Sequence, residues 1–370
     1  MKKASVITMQ YIDNYGSVLQ TLATQEVLNS MGYESEIVNY TRENCTYSFI
    51  KKRVYSAYRN CGDIRSFYLF AKLFEARWCF ITIKRRKIFD AFRKKYINLS
   101  KEYFSAQELI DSPPIADVYI TGSDQTWNTE YNGGVLGEYF LNYAPSNAKK
   151  IALSVSIGIE HIPVEFAKEM SDYVKSYDGI SVREESAVTV LKELGYSNAV
   201  HVVDPSLMLS ASEWIKLLNL KESKKSYVFV YYLNVNKDML NFAVRLAKDN
   251  DLELVILSAV KSRNIEFKHT TVRNCKPAQF LELIKNARYV VTDSFHGTAF
   301  SFNFNKNVYI FNPPKYSTRL TSILRLFDSE FRLVKNECWK EIPDINFDKV
   351  NSVLVSEREK AKKFLLTHLN

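Results

Sequence analysis

Residues Val290–Phe304 read VVTDSFHGTAFSFNF. An apolar run, Val290–Thr292, stops at Asp293-Ser294 and is followed by His296 beside Gly297. A structural turn needs only the glycine or the acid. An acid, a hydroxyl, an imidazole and a glycine at the end of a buried strand point to a site. Such a turn belongs to an α/β fold, where ligands bind beyond the carboxyl ends of parallel strands.

Working outward from that turn, short apolar runs alternate with helix-period stretches. Strands are expected at Ser5–Met9, Glu36–Tyr40, Asp117–Thr121, Lys150–Ile157, Gly179–Val182 and Val200–Val203. A second set is expected at Tyr227–Leu233, Leu252–Leu257, Arg288–Thr292 and Val308–Phe311. Helices are expected between them, among them Ser17–Met31, with Ser17 and Gln20 as a capping box and Gly32 as its stop, and one starting near Thr298. Strand–helix alternation implies parallel sheets covered on both faces. Asp204-Pro205-Ser206 reads as a boundary. The expected domains are residues 1–208, with an insertion at about 45–112, and residues 209–345, followed by a C-terminal helix over 346–370 that packs back on the first domain.

The chain has 370 residues, 46% apolar, which is enough for two cores. Its formal charge is +9, but residues 51–101 hold fifteen Lys/Arg against three acids. That segment carries +12 and the remainder is net −3. It is also aromatic, with Phe67, Phe70, Phe74, Trp78 and Ile81 at helical spacing. Three readings stand for it: a nucleic-acid surface, a solvated helical face over a core stripe, or an interfacial face on anionic lipid. Five scattered cysteines without C-x-x-C indicate neither zinc nor a disulfide framework and fit a reducing cytoplasm. No signal peptide or apolar run of membrane-spanning length is read. Neither G-x-x-x-x-G-K-[ST] nor G-x-G-x-x-G occurs, and no metal-ligand spacing is found.

Three polar turns follow strands: Asp13-Asn14-Tyr15-Gly16, Gly122-Ser123-Asp124-Gln125, and Asp293 to Gly297. Each reads as a helix cap or as an anion site at a helix N-terminus. VYITGSD at Val118–Asp124 echoes YVVTDS at Tyr289–Ser294, which places both turns on one cleft if the two domains face each other. His296 can exchange a proton near neutral pH. Arg183, after GISV, and Arg319, in STRLTSIL, are either surface ion-pair partners or forks that clamp an oxyanion.

Taken together, the chain resembles the polysaccharide pyruvyl transferase family. The stretches are NYGSVLQTLATQEVLNSMGYESEIVNY (Asn14–Tyr40), ITGSDQTWN (Ile120–Asn128), GISVREESAVTVLKELG (Gly179–Gly195), VVDPSLMLSASEW (Val202–Trp214) and NARYVVTDSFHGTAFSFNFNKNVYIF (Asn286–Phe311). The resemblance implies two Rossmann-like domains facing a cleft, GT-B-like. It implies transfer of pyruvate from phosphoenolpyruvate to a sugar as a ketal, with release of phosphate and no cofactor or metal. On that reading His296, Arg183 and Asp293 are catalytic. Arg183, Ser294, Gly297 and Arg319 bind the donor. Asp13, Asn14, Tyr15, Gly122, Ser123, Asp124 and Gln125 bind the acceptor. The expected partners are phosphoenolpyruvate, a lipid-linked sugar acceptor and an anionic membrane surface reached through residues 51–101, with no nucleic acid. The expected location is cytoplasmic, peripheral on the inner membrane face. The alternatives are a GT-B glycosyltransferase using a nucleotide sugar, and a non-catalytic glycan-binding or assembly protein.

Overall fold

The structure, a computed structural model, describes residues 1–42, 83–234, 236–258, 267–314, 317–335 and 339–369. The aromatic stripe from Phe67 to Ile81 lies outside the described residues.

Two parallel sheets form. The first holds β1 (Lys2–Ile7), β2 (Tyr33–Tyr40), β3 (Leu99–Tyr103), β4 (Val118–Thr121), β5 (Lys149–Val155), β6 (Gly179–Val182) and β7 (Val200–His201), in the order β3-β2-β1-β4-β5-β6-β7. The second holds β8 (Tyr227–Tyr231), β9 (Glu253–Leu257), β10 (His269–Val272), β11 (Tyr289–Thr292) and β12 (Asn307–Ile310), in the order β10-β9-β8-β11-β12. The central strands β4 and β11 are buried almost throughout, which is why they read as continuous apolar runs. Sequence order reverses between β1 and β4 in one sheet and between β8 and β11 in the other. These are the two switch points where an open α/β sheet leaves a crevice.

The helices of the first sheet are α1 (Tyr15–Ser30), α2 (83–96), α3 (Ala106–Asp111), α4 (Thr129–Asn132), α5 (Val164–Val174) and α6 (Glu185–Glu193). The short α7 (Pro205–Met208) and α8 (Ala211–Leu218) lead to the second sheet, with α9 (Lys237–Asp249), α10 (Pro277–Lys285), α11 (Phe295–Asn303) and α12 (Thr318–Leu326). The last helix is α13 (Phe347–Leu369).

Two helix starts differ from the sequence expectation. α1 is capped by Asn14, whose side chain accepts from Gly16 N, rather than by a Ser17–Gln20 box. Ser17 lies inside the first turn of α1, where its hydroxyl donates to Asp124 Oδ2. α11 starts at Phe295 and not near Thr298, because Ser294 is extended and its hydroxyl accepts from Gly297 N. His296 and Gly297 therefore sit in a helical first turn.

Beside one apolar cluster confined to each sheet, another runs through both. It joins Val6, Val18, Leu22 and Ile120 to Phe229, Phe280, Phe300 and Leu365. Tyr15 crosses between the sheets: its ring stacks on Phe280 at 4.7 Å and its hydroxyl donates to the Cys275 carbonyl. α13 returns to the first sheet, where the Tyr33 hydroxyl donates to the Leu369 carbonyl. On the way Arg358 donates to the Leu207 carbonyl and to Asn303 Oδ1.

Candidate active site

The turn after β4 carries Asp124 in a left-handed conformation, φ 86°. A residue other than glycine held there costs about 1–3 kcal/mol, and such strain gathers at functional sites. Backbone bonds enforce it: Ser156 N and Thr126 N both donate to the Asp124 carbonyl. The carboxylate then accepts from the Ser17 hydroxyl at 2.6 Å and from Gln125 N at 2.9 Å. Arg183 Nη2 lies 4.0 Å from its Oδ1.

Arg183 follows β6 and is fully buried. Its Nη1 donates to Asp204 Oδ2 at 2.9 Å, and its guanidinium lies over the Phe295 ring at 4.5 Å. Nε and Nη2 have no hydrogen-bond acceptor. Burial works against this charge, but Asp204, Asp124 and Glu184 outweigh it and hold the group above its ordinary value. Arg319, near the start of α12, also leaves Nε without an acceptor. Burial, reinforced by the charge of Arg183, pushes it down to about 10. Two guanidiniums feel each other here and both keep unused N–H donors. An anion with two acidic groups would relieve both conditions.

His296 comes from the other sheet. Its Nε2 has no hydrogen-bond partner and lies 3.7 Å from Asp204 Oδ2. Its ring packs on the N-terminus of α1 at Gly16, where a Cβ would overlap Nδ1. Asp204 and Asp124 are both held below the usual carboxylate range. In each case burial raises the carboxyl, and the cationic and hydrogen-bonding neighbours overcome it.

The structure thus gathers His296, Arg183, Arg319 and Asp124, with Ser123 beside them through its bond to Asp204 Oδ2 at 2.9 Å. Other expected site residues are placed elsewhere or already engaged. Asp293 accepts from Leu233 N, Asn234 N and the Asn234 amide, which ties down the loop after β8. Asp13 pairs with Arg86 at 3.0 Å and Arg93 at 2.8 Å, both from α2. Tyr15 and Asn14 serve the inter-sheet stack and the α1 cap. Ser294 caps α11. The space beside Gly297 is filled by Thr292, whose Oγ1 would lie 2.6 Å from an added Cβ, so this glycine seats α11 on the strand end. Gly122 lets β4 approach β1, with Thr8 and Val6 close by. Gln125 Oε1 accepts from Asn128 Nδ2.

Sequence reasoning missed three participants. Asp204 was read only as a boundary. Gly16 was read as part of a turn. Glu184 follows Arg183 and is not singled out in the sequence, yet its buried Oε1 accepts from Ser156 Oγ, Ile157 N and Gly158 N. The strand–Asp-Pro-Ser pattern at 204 is the signal that was available, since an acid capping a helix after a strand end belongs to the same class as the other three turns.

A family model described as "Polysaccharide pyruvyl transferase" matches residues 14–314. The chain belongs to the polysaccharide pyruvyl transferase family. The match includes Arg183, Asp204 and His296 and ends just before α12, so Arg319 lies outside it. No curated protein matches the chain by sequence. Among solved structures, a putative UDP-N-acetylglucosamine 2-epimerase from Listeria monocytogenes aligns with TM-score 0.51 at 11% identity, covering 98% of this chain and 90% of that one. A UDP complex of MnaA from S. aureus aligns with TM-score 0.49 at 14% identity, covering 98% and 89%. At such identities the likeness shows the fold alone, which is GT-B: two Rossmann-like sheets facing across a cleft.

Proposed function

We propose that this pyruvyl transferase family member moves pyruvate from phosphoenolpyruvate onto a sugar of a lipid-linked surface-polysaccharide precursor, as a ketal, and releases phosphate. The observation that carries the reading is the set of unused donors on Arg183 and Arg319 beside the unpartnered Nε2 of His296. Phosphoenolpyruvate places a carboxylate and a phosphate close together, and two guanidinium forks match that pair.

In the reaction, His296 donates a proton to the methylene carbon, and the central carbon becomes electrophilic. One sugar hydroxyl attacks that carbon and gives up its proton. The carbon–oxygen bond to phosphate then breaks, and phosphate leaves with the electron pair. The second hydroxyl attacks the same carbon, loses its proton and closes the ketal ring. Asp124, fixed by Ser17 and Gln125 N, is positioned to accept a proton or orient the acceptor. Replacing His296 with Asn in a folded protein is expected to lower kcat by about 10²–10⁴-fold. Near-unaltered turnover would remove it from this role.

The exposed lysines of α2 support the reading of an acceptor met at a membrane face. Within α2 the arginines turn inward: Arg85 donates twice to the Asp13 carbonyl, Arg86 to the Tyr11 carbonyl and Arg93 to the Gln10 carbonyl. Lys84, Lys87, Lys94 and Lys95 remain exposed and give this face its charge toward anionic lipid. Among the described residues no helix is long and apolar enough to cross a membrane.

The test is phosphate release from phosphoenolpyruvate with a panel of lipid-linked acceptors ending in galactose, glucose or N-acetylhexosamine, with mass spectrometry of the products. Acceptor-dependent release with a pyruvate ketal on the sugar is the expected result. Turnover of a nucleotide sugar in its place would assign a glycosyltransferase. Glycan binding without turnover of either donor would assign a binding protein.

A further inference from the structure

Asp204 lies at the join of the two sheets and is buried completely. Four elements meet on its carboxylate. Oδ2 accepts from Arg183 Nη1, after β6, and from Ser123 Oγ, after β4, both at 2.9 Å. The same oxygen faces His296 Nε2, on α11, at 3.7 Å. Oδ1 accepts from Ser206 N and so starts α7. A cap alone would need only the last of these contacts.

The 3.7 Å spacing has two consequences. It is beyond hydrogen-bond reach, so the Nε2 hydrogen stays available to a substrate. It is well within ion-pair range, so an imidazolium formed at this position would find a counter-ion in Asp204. Other groups around the ring pull in both directions. Asp124 adds a second negative charge. Arg183 and Arg319 are positive, and the N-terminal turns of α1 and α11, both at the ring, present the positive ends of their helix dipoles. Without the carboxylate at 204 the positive contributions dominate around His296.

We propose that Asp204 is the positioning residue of this site, aligning the Arg183 fork with one oxygen while that same oxygen stands as counter-ion to His296 across the join without engaging its Nε2. The kinetic part rests on the reading of His296 as proton donor. The coupling itself can be read in ligand-free protein, so the two can fail separately.

The experiment compares wild type, Asp204→Asn, Asp204→Ser and Ser123→Ala, each checked for folding by thermal unfolding. Asn keeps the shape and the cap of α7 and removes only the charge. Nuclear magnetic resonance of the His296 ring in ligand-free protein is expected to show Asp204→Asn titrating about one pH unit or more below wild type, the size expected for loss of an adjacent opposite charge. Ser123→Ala, which takes a hydrogen bond from the same oxygen but no charge, is expected to leave the titration in place. In phosphate release from phosphoenolpyruvate, Asp204→Asn is expected to raise KM at every pH and to lower kcat more at high pH than at low pH. A purely structural role would give a loss of kcat that is independent of pH.

A folded Asp204→Asn with a wild-type ring titration overturns the proposal, and so does a Ser123→Ala shift of equal size. If Asp204→Asn does not fold, Asp204→Ser, which also keeps a capping oxygen without the charge, decides: a titration lowered by about one pH unit supports the proposal, and a wild-type titration overturns it. A shifted titration with no phosphoenolpyruvate turnover in wild type would leave the coupling standing and remove the reaction.

Discussion

Gly16 on α1 and His296 on α11 are packed face to face, and a side chain on Gly16 would occupy the position of the imidazole Nδ1. The contact brings the first turns of two helices, one from each sheet, onto one histidine. Gly16→Ala is expected to push the ring off its position, lower kcat by about 100-fold and cost about 1–3 kcal/mol of stability through overpacking. Urea unfolding and a kcat measurement check both. An alanine variant with unchanged kcat would show that the ring need not be where it is.

Arg319 carries an unused Nε donor and is pushed down by burial and by Arg183. An incoming dianion would offset both effects. Arg319→Gln is expected to raise KM for phosphoenolpyruvate by about 10–100-fold, the worth of a charged hydrogen bond, with a smaller change in kcat. Equal KM values would place the donor elsewhere in the cleft.

Asp124 is held below the usual carboxylate range, so its ionised form stabilises the folded chain. The sign follows from that. The contribution is full above the unfolded value near pH ~4 and is lost as pH falls through the lower folded value. Asn tolerates the left-handed backbone at 124, so Asp124→Asn isolates the charge. The variant is expected to be less stable than wild type by about 3 kcal/mol at neutral pH, with the gap closing on acidification below pH ~4. A gap that is constant with pH would mean that the carboxylate's charge does not contribute.

The outward lysines of α2 separate membrane binding from folding. Changing Lys84, Lys87, Lys94 and Lys95 to Gln is expected to weaken binding to phosphatidylserine vesicles by about 1 kcal/mol per lysine, with the unfolding midpoint unchanged. Arg85 and Arg86 are unsuitable for this purpose, because they hold the turn after β1. Vesicle binding that survives the four changes would move the lipid contact off this face.

Most of the fold was legible because strands buried on both faces are apolar along their whole length, as in β4, β8 and β11. The strands that escaped were edge strands. β3 and β10 are half exposed and mix polar with apolar residues, so they lack that signature. α12 was not expected either, although the cap-type residue Ser317 precedes it; its side chain makes no capping bond. At the site, His296, Arg183, Arg319 and Asp124 were legible as chemistry at strand ends and helix starts. Asp204 was not, because its partners Arg183 and Ser123 lie 21 and 81 positions away. Asp13 and Asp293 looked alike in sequence, and only the fold shows their carboxylates already engaged by Arg86 and Arg93, and by the 233–234 loop.

The core shared by the two sheets has a bearing on how the chain can be handled and how it evolves. Tyr15 stacked on Phe280, and α13 returning to Tyr33, mean that this shared cluster is completed by neither half alone. A cut between α8 and β8 would leave two fragments with raw apolar faces, each prone to aggregate by itself. Recombination that exchanges one half of this molecule for that of a relative must therefore carry the matching aromatic seam with it, even where the donor and acceptor pockets are to be mixed.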